Sequence, residues 1–160
     1  MDHFENYFTL AIRLLARRSR SKKELIDYLR KKKAPEEVIA SVLSKLEEKK
    51  FQSDEDFTRW WVEQRIRFRS KSDRAITAEL LQKGIEKDLI KKILNEFNDS
   101  GQTDLAKAKK VVEKKIKKYQ SLSKEQQYHK LGFMLARMGY SWETIRQAID
   151  AYYQRDYNTE

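Results

Sequence analysis

The sequence contains no cysteine, one proline and four glycines among its 160 residues. The absence of cysteine excludes disulfide bonds, thiol catalysis and zinc sites held by cysteine. Sandwiches and barrels need many turns and usually more proline and glycine, so the scarcity of both disfavours an all-β protein. The abundance of Leu, Ile, Lys, Glu, Arg, Gln and Ala favours helix throughout.

Long hydrophobic runs are also missing, and none approaches the roughly 20 residues that span a bilayer. The first eighteen residues place acidic side chains ahead of the apolar ones and basic side chains after them. That order is the reverse of a signal peptide. We therefore expect a cytoplasmic protein that does not associate with membranes.

Charge is what the sequence has in excess. Charged residues make up 38% of the chain, the net charge is +10, and hydrophobic residues make up 39%. Because charged residues usually amount to about a quarter of a protein, we expect a thin core under a highly charged surface. A basic protein of this size is attracted to polyanions, including nucleic acid and the protein filaments that carry it.

A pattern of two short helices recurs along the chain. Segments that begin at Glu24, Ala75 and Lys130 align without a gap over about twenty positions when they are offset by 51 and 106 residues. The turn between the two helices falls at Lys33, Gly84 and Gly139. Internal periodicity of this kind predicts an array of similar units. The aligned apolar positions are Leu25, Ile76 and Leu131; Leu29, Leu80 and Leu135; Ile39, Ile90 and Ile145; and Leu43, Leu94 and Ile149.

A third amphipathic helix precedes each pair, at about residues 4–18, 54–69 and 104–119, with apolar side chains three and four residues apart. The fold predicted is all-α, with three tandem three-helix repeats at residues 1–52, 53–101 and 102–160. An elongated molecule, straight or curved, follows more naturally than a globe. Helix starts are marked by a capping box at Ser21 and Glu24, by the caps Ser53, Ser123 and Ser141, and by Pro35 in a first turn.

Three stretches resemble the three tandem repeats of RecX-type recombination regulators: LLARRSRSKKEL, FQSDEDFTRWWVEQRIRFRSKSDRAITAELLQKGI and HKLGFMLARMGYSWETI. The family pattern A-x-x-x-L-x-x-R-x-x-S-x-x-E-L is met in the first, and an acidic-aromatic entry, a basic tract and EL-x-x-KGI in the second. Lys71 departs from the pattern, since the family often has glycine there. The matching residues are Ala11, Leu15, Arg18, Ser21, Glu24, Leu25, Asp54, Glu55, Asp56, Phe57, Arg65, Arg69, Glu79, Leu80, Lys83, Gly84 and Ile85.

The resemblance implies a bacterial cytosolic regulator that binds the RecA recombinase and lies along the groove of the RecA–DNA filament. Such proteins suppress strand exchange, ATPase and co-protease activity, can promote filament disassembly, and act in DNA repair and the SOS response. We accordingly expect the RecA filament on DNA as the partner, with weak direct DNA binding and a monomeric protein.

Catalytic chemistry has little support in the sequence. The two histidines, His3 and His129, lie far apart along the chain, and the four glycines are scattered and form no phosphate-binding loop. We expect no catalytic residue, no cofactor and no metal ion, and hence no enzyme.

Three clusters of basic residues are the candidate contacts with a partner or DNA, although a charge run can also be a solvated face. Arginine favours fixed contacts because it can fork onto phosphate or carboxylate. Two clusters lie at corresponding turns, and the third is a lysine-rich helix that also includes Lys107, Lys109 and Lys115. The candidates are Arg17, Arg18, Arg20, Lys22 and Lys23; Arg65, Arg67, Arg69, Lys71 and Arg74; and Lys110, Lys114, Lys117 and Lys118.

The aromatic residues divide into expected core and open assignments. Trp61 continues a helical stripe through Phe57 and Phe68, and Trp60 fits that stripe less well. For both tryptophans, packing in a core or between repeats is favoured over a binding hot spot. The three tyrosines at positions 152, 153 and 157 either cap the last repeat or touch a partner.

Two other functions fit the sequence. One is a helical DNA-binding protein that acts without RecA, although the second helices at 36–46 and 86–97 carry few residues suited to base edges. The other is a helical-repeat adaptor with a purely protein partner.

Overall fold

The computed structural model describes residues 3–157, with side chains described for residues 4–154. Within these ranges the chain is all-α, as predicted, and its helices follow one another in three consecutive trios. The trios are α1 (His3–Leu15), α2 (Lys22–Lys31) and α3 (Glu36–Glu48); α4 (Asp54–Arg69), α5 (Asp73–Gln82) and α6 (Lys87–Asp99); and α7 (Asp104–Ile116), α8 (Lys124–Arg137) and α9 (Trp142–Tyr157), with a 3-10 turn at Lys117–Tyr119 after α7.

The helices begin where the sequence places its capping residues. The Ser21 hydroxyl accepts a hydrogen bond from the Glu24 N–H, and the Glu24 carboxylate accepts one from the Ser21 N–H, which completes the predicted capping box. The hydroxyls of Ser53, Ser123 and Ser141 each accept a hydrogen bond from the N–H three residues on, at 3.2 Å. Pro35 lies at the N-cap of α3, one position before the first turn.

The predicted turn position has one conformation in all three trios. Lys33, Gly84 and Gly139 have φ of 61°, 77° and 93°. In each case the next N–H donates to a carbonyl five residues back, at 3.1 Å, 3.1 Å and 3.3 Å. This is the hydrogen bond of a Schellman helix end. The repeat deduced from the sequence is therefore also a repeat of the backbone.

The aligned apolar positions are equivalent in burial as well as in sequence. All twelve are buried, the most exposed being Leu94 at 7%. In the first trio they pack with Ala11, and in the third with Ala108 and Val112. The register found in the sequence is confirmed, because each aligned side chain occupies the core that its pattern predicts.

The chain forms two compact units, and the second trio contributes to both. Among the described residues, one unit comprises residues 3–61 with Glu79–Ile90, and the other comprises Val62–Ala78 with residues 91–157. The start of α4, the end of α5 and the start of α6 therefore pack with the first trio. The rest of α4–α6 packs with the third.

A similar joint occurs in each unit. In the first, the Ser21 hydroxyl donates to the Lys83 carbonyl at 2.8 Å, and the Lys22 N–H donates to Asp54 at 2.7 Å. The start of α2 thus holds both the α5–α6 turn and the first acid of α4.

In the second unit, the Ser72 N–H donates to the Met138 carbonyl at 3.1 Å, and the Asp73 N–H donates to Asp104 at 2.9 Å. The start of α5 thus holds the α8–α9 turn and the first acid of α7. The two joints use equivalent positions, but the donor to the turn carbonyl is the Ser21 hydroxyl in the first and the Ser72 backbone N–H in the second.

The aromatic predictions are confirmed in part. Phe57 is fully buried and Trp61 is 8% exposed, with the Trp61 indole N–H donating to Glu79 at 2.9 Å. Trp60 is half-buried. The placement of Phe68 in the same stripe is wrong, because its side chain is 64% exposed. Residues 67–69 at the end of α4 are all exposed, so the last turn of this helix extends beyond the core.

The C-terminal tyrosines cap the third trio in part. Tyr152 and Tyr153 are half-buried against its core, and the Tyr153 hydroxyl donates to Gln127 at 2.6 Å. The side chains of Tyr157 and His3 lie outside the described residues.

Two glycines with similar backbone conformations differ in their surroundings, and this difference can be measured. A Cβ at Gly139 would lie 2.5 Å from the Ser72 hydroxyl oxygen and 2.8 Å from the Ala75 Cβ, whereas a Cβ at Gly101 would meet nothing within 4 Å. We expect Gly101→Ala to cost about 1–2 kcal/mol of unfolding free energy through backbone strain alone. Gly139→Ala should cost about 1–3 kcal/mol more through overpacking of the joint. Urea denaturation of both variants measures the difference, and equal losses would show that the joint accommodates the added methyl group without strain.

Candidate functional site

The first basic cluster is largely engaged within the protein. The Arg18 guanidinium forks onto Glu24, at 2.7 Å and 3.3 Å, and lies 5.9 Å from the centre of the Trp60 ring. Lys22 pairs with Glu47 and Lys23 with Asp27, each at 2.8 Å on the exposed surface. Arg20 lies 3.8 Å from the same Glu24 carboxylate, and Arg17 is exposed. α1 ends at Leu15, three residues earlier than predicted, so these arginines belong to the turn before α2.

Glu24 is the centre of this arrangement. Its carboxylate also accepts a hydrogen bond from the Lys83 ammonium at 2.9 Å, and that ammonium lies 4.3 Å from the centre of the Trp61 ring. Burial by itself would raise the pKa of Glu24, but hydrogen bonds from Arg18, Lys83 and the Ser21 N–H outweigh burial and lower its pKa to about 2. The glutamate therefore stays ionised and ties the turn before α2 to the α5–α6 turn.

The sequence contains a second indication of this network, in addition to the capping pattern. Glu24 is a single acid after five bases in residues 17–23. A carboxylate among so many bases is a candidate for several ion pairs at once. Reasoning from the cap alone missed its contacts with Arg18 and Lys83.

The second basic cluster is more accessible. Arg67, Arg69 and Arg74 are exposed, while Arg65 and Lys71 are half-buried. The Arg67 guanidinium lies 5.3 Å from the centre of the exposed Phe68 ring. This cluster therefore presents a flat cation beside an aromatic ring at the end of α4.

A buried tyrosine holds the turn that carries this cluster. Ser70 has a φ of 48°, and its carbonyl accepts a hydrogen bond from the Tyr140 hydroxyl. Burial raises the pKa of Tyr140, and the negative charges of Asp104 and Asp73 raise it further. The hydroxyl consequently remains protonated and available as a donor to the turn between α4 and α5.

The third cluster divides into exposed lysines and one buried lysine. Lys107 is 3% exposed, and its ammonium lies 2.6 Å from an Asp73 oxygen and 2.8 Å from an Asp104 oxygen. Asp73 also accepts a hydrogen bond from the Asn98 side chain at 2.8 Å. Grouping Lys107 with the solvated lysine face was wrong, because it is the positive centre of the second joint. The exposed candidates on this segment are Lys110, Lys114, Lys117 and Lys118.

A groove of about 470 Å³ in the second unit brings the second and third clusters together. Arg67 lies on its α4 side and Lys110 on its α7 side, with Ile66 and Phe97 as apolar lining. Glu63 is the one carboxylate among the described side chains that line it. An anionic group between Arg67 and Lys110 would meet two exposed cations over an apolar floor.

The described residues contain no group of three or more histidine, aspartate or glutamate side chains placed to hold a metal ion. No helix in residues 3–157 is long and apolar enough to cross a bilayer.

The buried ion network leads to a stability prediction. Lys107→Met keeps a long flexible side chain but leaves Asp73 and Asp104 facing each other without a cation. We expect it to lower the unfolding free energy by about 3 kcal/mol, the low end for a broken buried pair because both carboxylates keep some contact with water. Lys110→Met on the exposed side of α7 should change stability by no more than about 0.5 kcal/mol. Equal thermal unfolding of the two variants would contradict the structural role of Lys107.

The lowered pKa of Glu24 leads to a pH prediction. A carboxylate whose pKa is lower in the folded than in the unfolded state stabilises the fold above its unfolded pKa, about 4.3, and this stabilisation is lost as the pH falls toward about 2. Glu24→Gln should therefore be less stable than the unaltered chain at pH 7, and the difference should shrink between about pH 4.5 and 2. Urea midpoints measured across this range test the expectation, and a difference that stays constant with pH would refute it.

Comparison with known proteins agrees with the three trios. Residues 8–46 match the first three-helix domain of RecX, residues 53–94 the second and residues 102–149 the third. The crystal structure of RecX from Lactobacillus salivarius superposes with a TM-score of 0.78 at 23% identity, covering 94% of this chain and 96% of that one.

Two relatives named Regulatory protein RecX are similar along nearly the whole chain. The one from Bacillus subtilis (strain 168) is 34% identical over 160 residues, which is 99% of this chain and 60% of the relative. The one from Streptomyces lividans is 33% identical over 153 residues, which is 93% of this chain and 80% of the relative. With all three domains matched in order, this chain belongs to the RecX family of regulatory proteins.

Proposed function

We propose that this protein binds the RecA filament on DNA and modulates it, mainly by inhibiting its recombinase, ATPase and co-protease activities. It acts in the bacterial cytoplasm, in DNA repair and the SOS response, and it catalyses no reaction of its own. The observation that carries the proposal is the match to three RecX domains in their order along the chain. Its net charge of +10 suits a polyanionic target.

The exposed arginines at the end of α4 are the proposed centre of the contact surface. Arg67 and Arg69 point away from the core, and Arg67 shares the groove of the second unit with Lys110. A guanidinium can bind phosphate or carboxylate through two parallel hydrogen bonds, so both DNA and an acidic protein surface suit it. The groove is therefore the place where we expect the filament to contact the second unit.

The first basic cluster is proposed in a modified role. Arg18 and Arg20 face Glu24, so their main contribution is to hold the turn before α2 in place. Arg17 is exposed, and Lys22 and Lys23 form surface pairs of small worth that a stronger partner can replace. The other proposed contacts are Arg65, Lys71, Arg74, Lys114, Lys117 and Lys118.

Several weak contacts along one chain can give useful affinity for a filament. Once one trio is bound, the others are held near the same polymer at high effective concentration, so their contacts add avidity without new chemistry. A basic protein held in the filament groove would obstruct the second DNA strand. This obstruction is the proposed physical basis of inhibition.

The double variant Arg67→Glu with Arg69→Glu tests this surface. We expect it to raise at least tenfold the protein concentration required to inhibit RecA strand exchange, because two attractive charges become repulsive at the proposed contact. Strand exchange, ATP turnover and filament length would be measured together. The matched control is Lys87→Glu with Lys91→Glu on the exposed side of α6, which lowers the net charge by the same amount.

The outcomes separate the proposed function from general DNA binding and test the contact surface. If the unaltered protein changes none of these RecA activities, the proposed function is wrong. If it acts only through naked DNA, binding should weaken steeply with salt and gain nothing from RecA, which is the behaviour of a general DNA-binding protein. If both double variants inhibit like the unaltered protein, the arginines at the end of α4 are not the contact.

A further inference from the structure

A second cationic surface lies on α8 and the 3-10 turn before it, and none of the side chains that line it is among the contacts proposed above. It is a groove of about 640 Å³ whose lining combines the rings of Tyr119 and Phe133 with the basic side chains Lys130 and Arg137 and with His129. Phe133 is 69% exposed, the highest fraction among the exposed large hydrophobic side chains of the described residues. An aromatic ring this open in a basic groove requires an explanation.

The cations and rings of this groove are arranged together. Lys130, Phe133 and Arg137 are three and four residues apart, so they share one face of α8. The Arg137 guanidinium lies 6.0 Å from the centre of the Phe133 ring, and the Lys130 ammonium lies 6.0 Å from the centre of the Tyr119 ring. Each ring therefore has a positive charge beside it.

The ring of Phe133 is not required by the packing that the three trios share. Leu131 and Leu135, on either side of it along α8, fill the core, and Phe133 is absent from it. At the aligned position the first trio has Asp27 and the second has Ala78. The packing that the trios share is therefore compatible with an aspartate or an alanine at this position, and the phenylalanine is a feature of the third trio alone.

The lining of the groove indicates a polyanion. No carboxylate is among the described side chains that line it, and two thioethers, Met134 and Met138, complete its apolar part. Its polar groups are mainly hydrogen-bond donors, which suits a ligand whose backbone offers only acceptors. A peptide backbone, by contrast, also brings N–H groups, and these would find few acceptors here.

We propose that this surface, the α8 platform, binds a single-stranded polynucleotide, with one base stacked on Phe133 and phosphates held by Lys130 and Arg137. Aromatic rings beside cations form the usual surface for such strands, and stacking tolerates any base because every base has a π-face. Recognition is therefore independent of sequence. The proposal does not rest on the regulation of RecA, and its test contains no recombinase.

The test measures the anisotropy of a fluorescein-labelled dT20 oligonucleotide titrated with the full chain. Phe133→Leu keeps an apolar side chain and removes the π-face, so we expect the dissociation constant to rise about five- to a hundred-fold with no change in its salt dependence. Phe133→Trp should retain affinity. Arg137→Gln should weaken binding and reduce the slope of log K against log salt by about 0.7, because one phosphate contact is lost.

Phe51→Leu is the matched control, since Phe51 is 54% exposed and lies outside this groove. It should bind dT20 like the unaltered chain. Binding by Phe133→Leu and Arg137→Gln that equals the control overturns the proposal. The proposal is also overturned if both variants bind a labelled poly-glutamate peptide more weakly than the unaltered chain does but bind dT20 equally well. The groove would then be a site for an acidic peptide. Circular dichroism establishes whether each variant is folded. If Phe133→Leu does not fold, the single variants Arg137→Gln and Phe133→Trp test the proposal.

Discussion

The arrangement of this protein depends on how the second helix of one trio begins. Ser21 and Ser72, both fully buried, bind the hairpin turn of the following trio, and the next backbone N–H in each case binds the first acid of that trio. A helix start has unpaired N–H groups, and a helix end has unpaired carbonyls. At each joint a helix-end carbonyl gains a donor, which is the Ser21 hydroxyl in one case and the Ser72 N–H in the other, and the next helix-start N–H gains a carboxylate acceptor. The joint between trios therefore completes the capping of both helices.

Carboxylates at the joints engage some of the basic side chains. Arg18, Lys83 and Lys107 face Glu24 or Asp73, since carboxylates at a helix start are stabilised there and attract counter-charges. Other cations, such as Arg67 and Lys110, are exposed. A basic sequence thus contains both structural and available charge, and the contacts with joint carboxylates distinguish Arg18, Lys83 and Lys107 from the exposed cations.

The available charge suits the proposed binding to a polyanionic filament. The chain belongs to a family of regulatory proteins, and the exposed cations at the end of α4 and along α7 offer contacts on different helices. The third trio adds a ring at Phe133 where the others have Asp27 and Ala78. Repeats that share one backbone conformation can carry different side chains at positions outside the shared core. Specific binding can arise at such positions.

The sequence by itself determined the helices to within a few residues, the register of the three trios, the serine caps and the turn positions at Lys33, Gly84 and Gly139. These features depend on periodicity and on neighbours within a few residues, both of which are visible along the chain. The tertiary structure alone decided that Lys107 is buried and that Phe68 is exposed. Lys107 meets Asp73 across 34 residues of sequence, and Phe68 lies beyond the core although it follows the spacing of a core stripe. Pairing over such distances depends on where the helices pack, which no local pattern records.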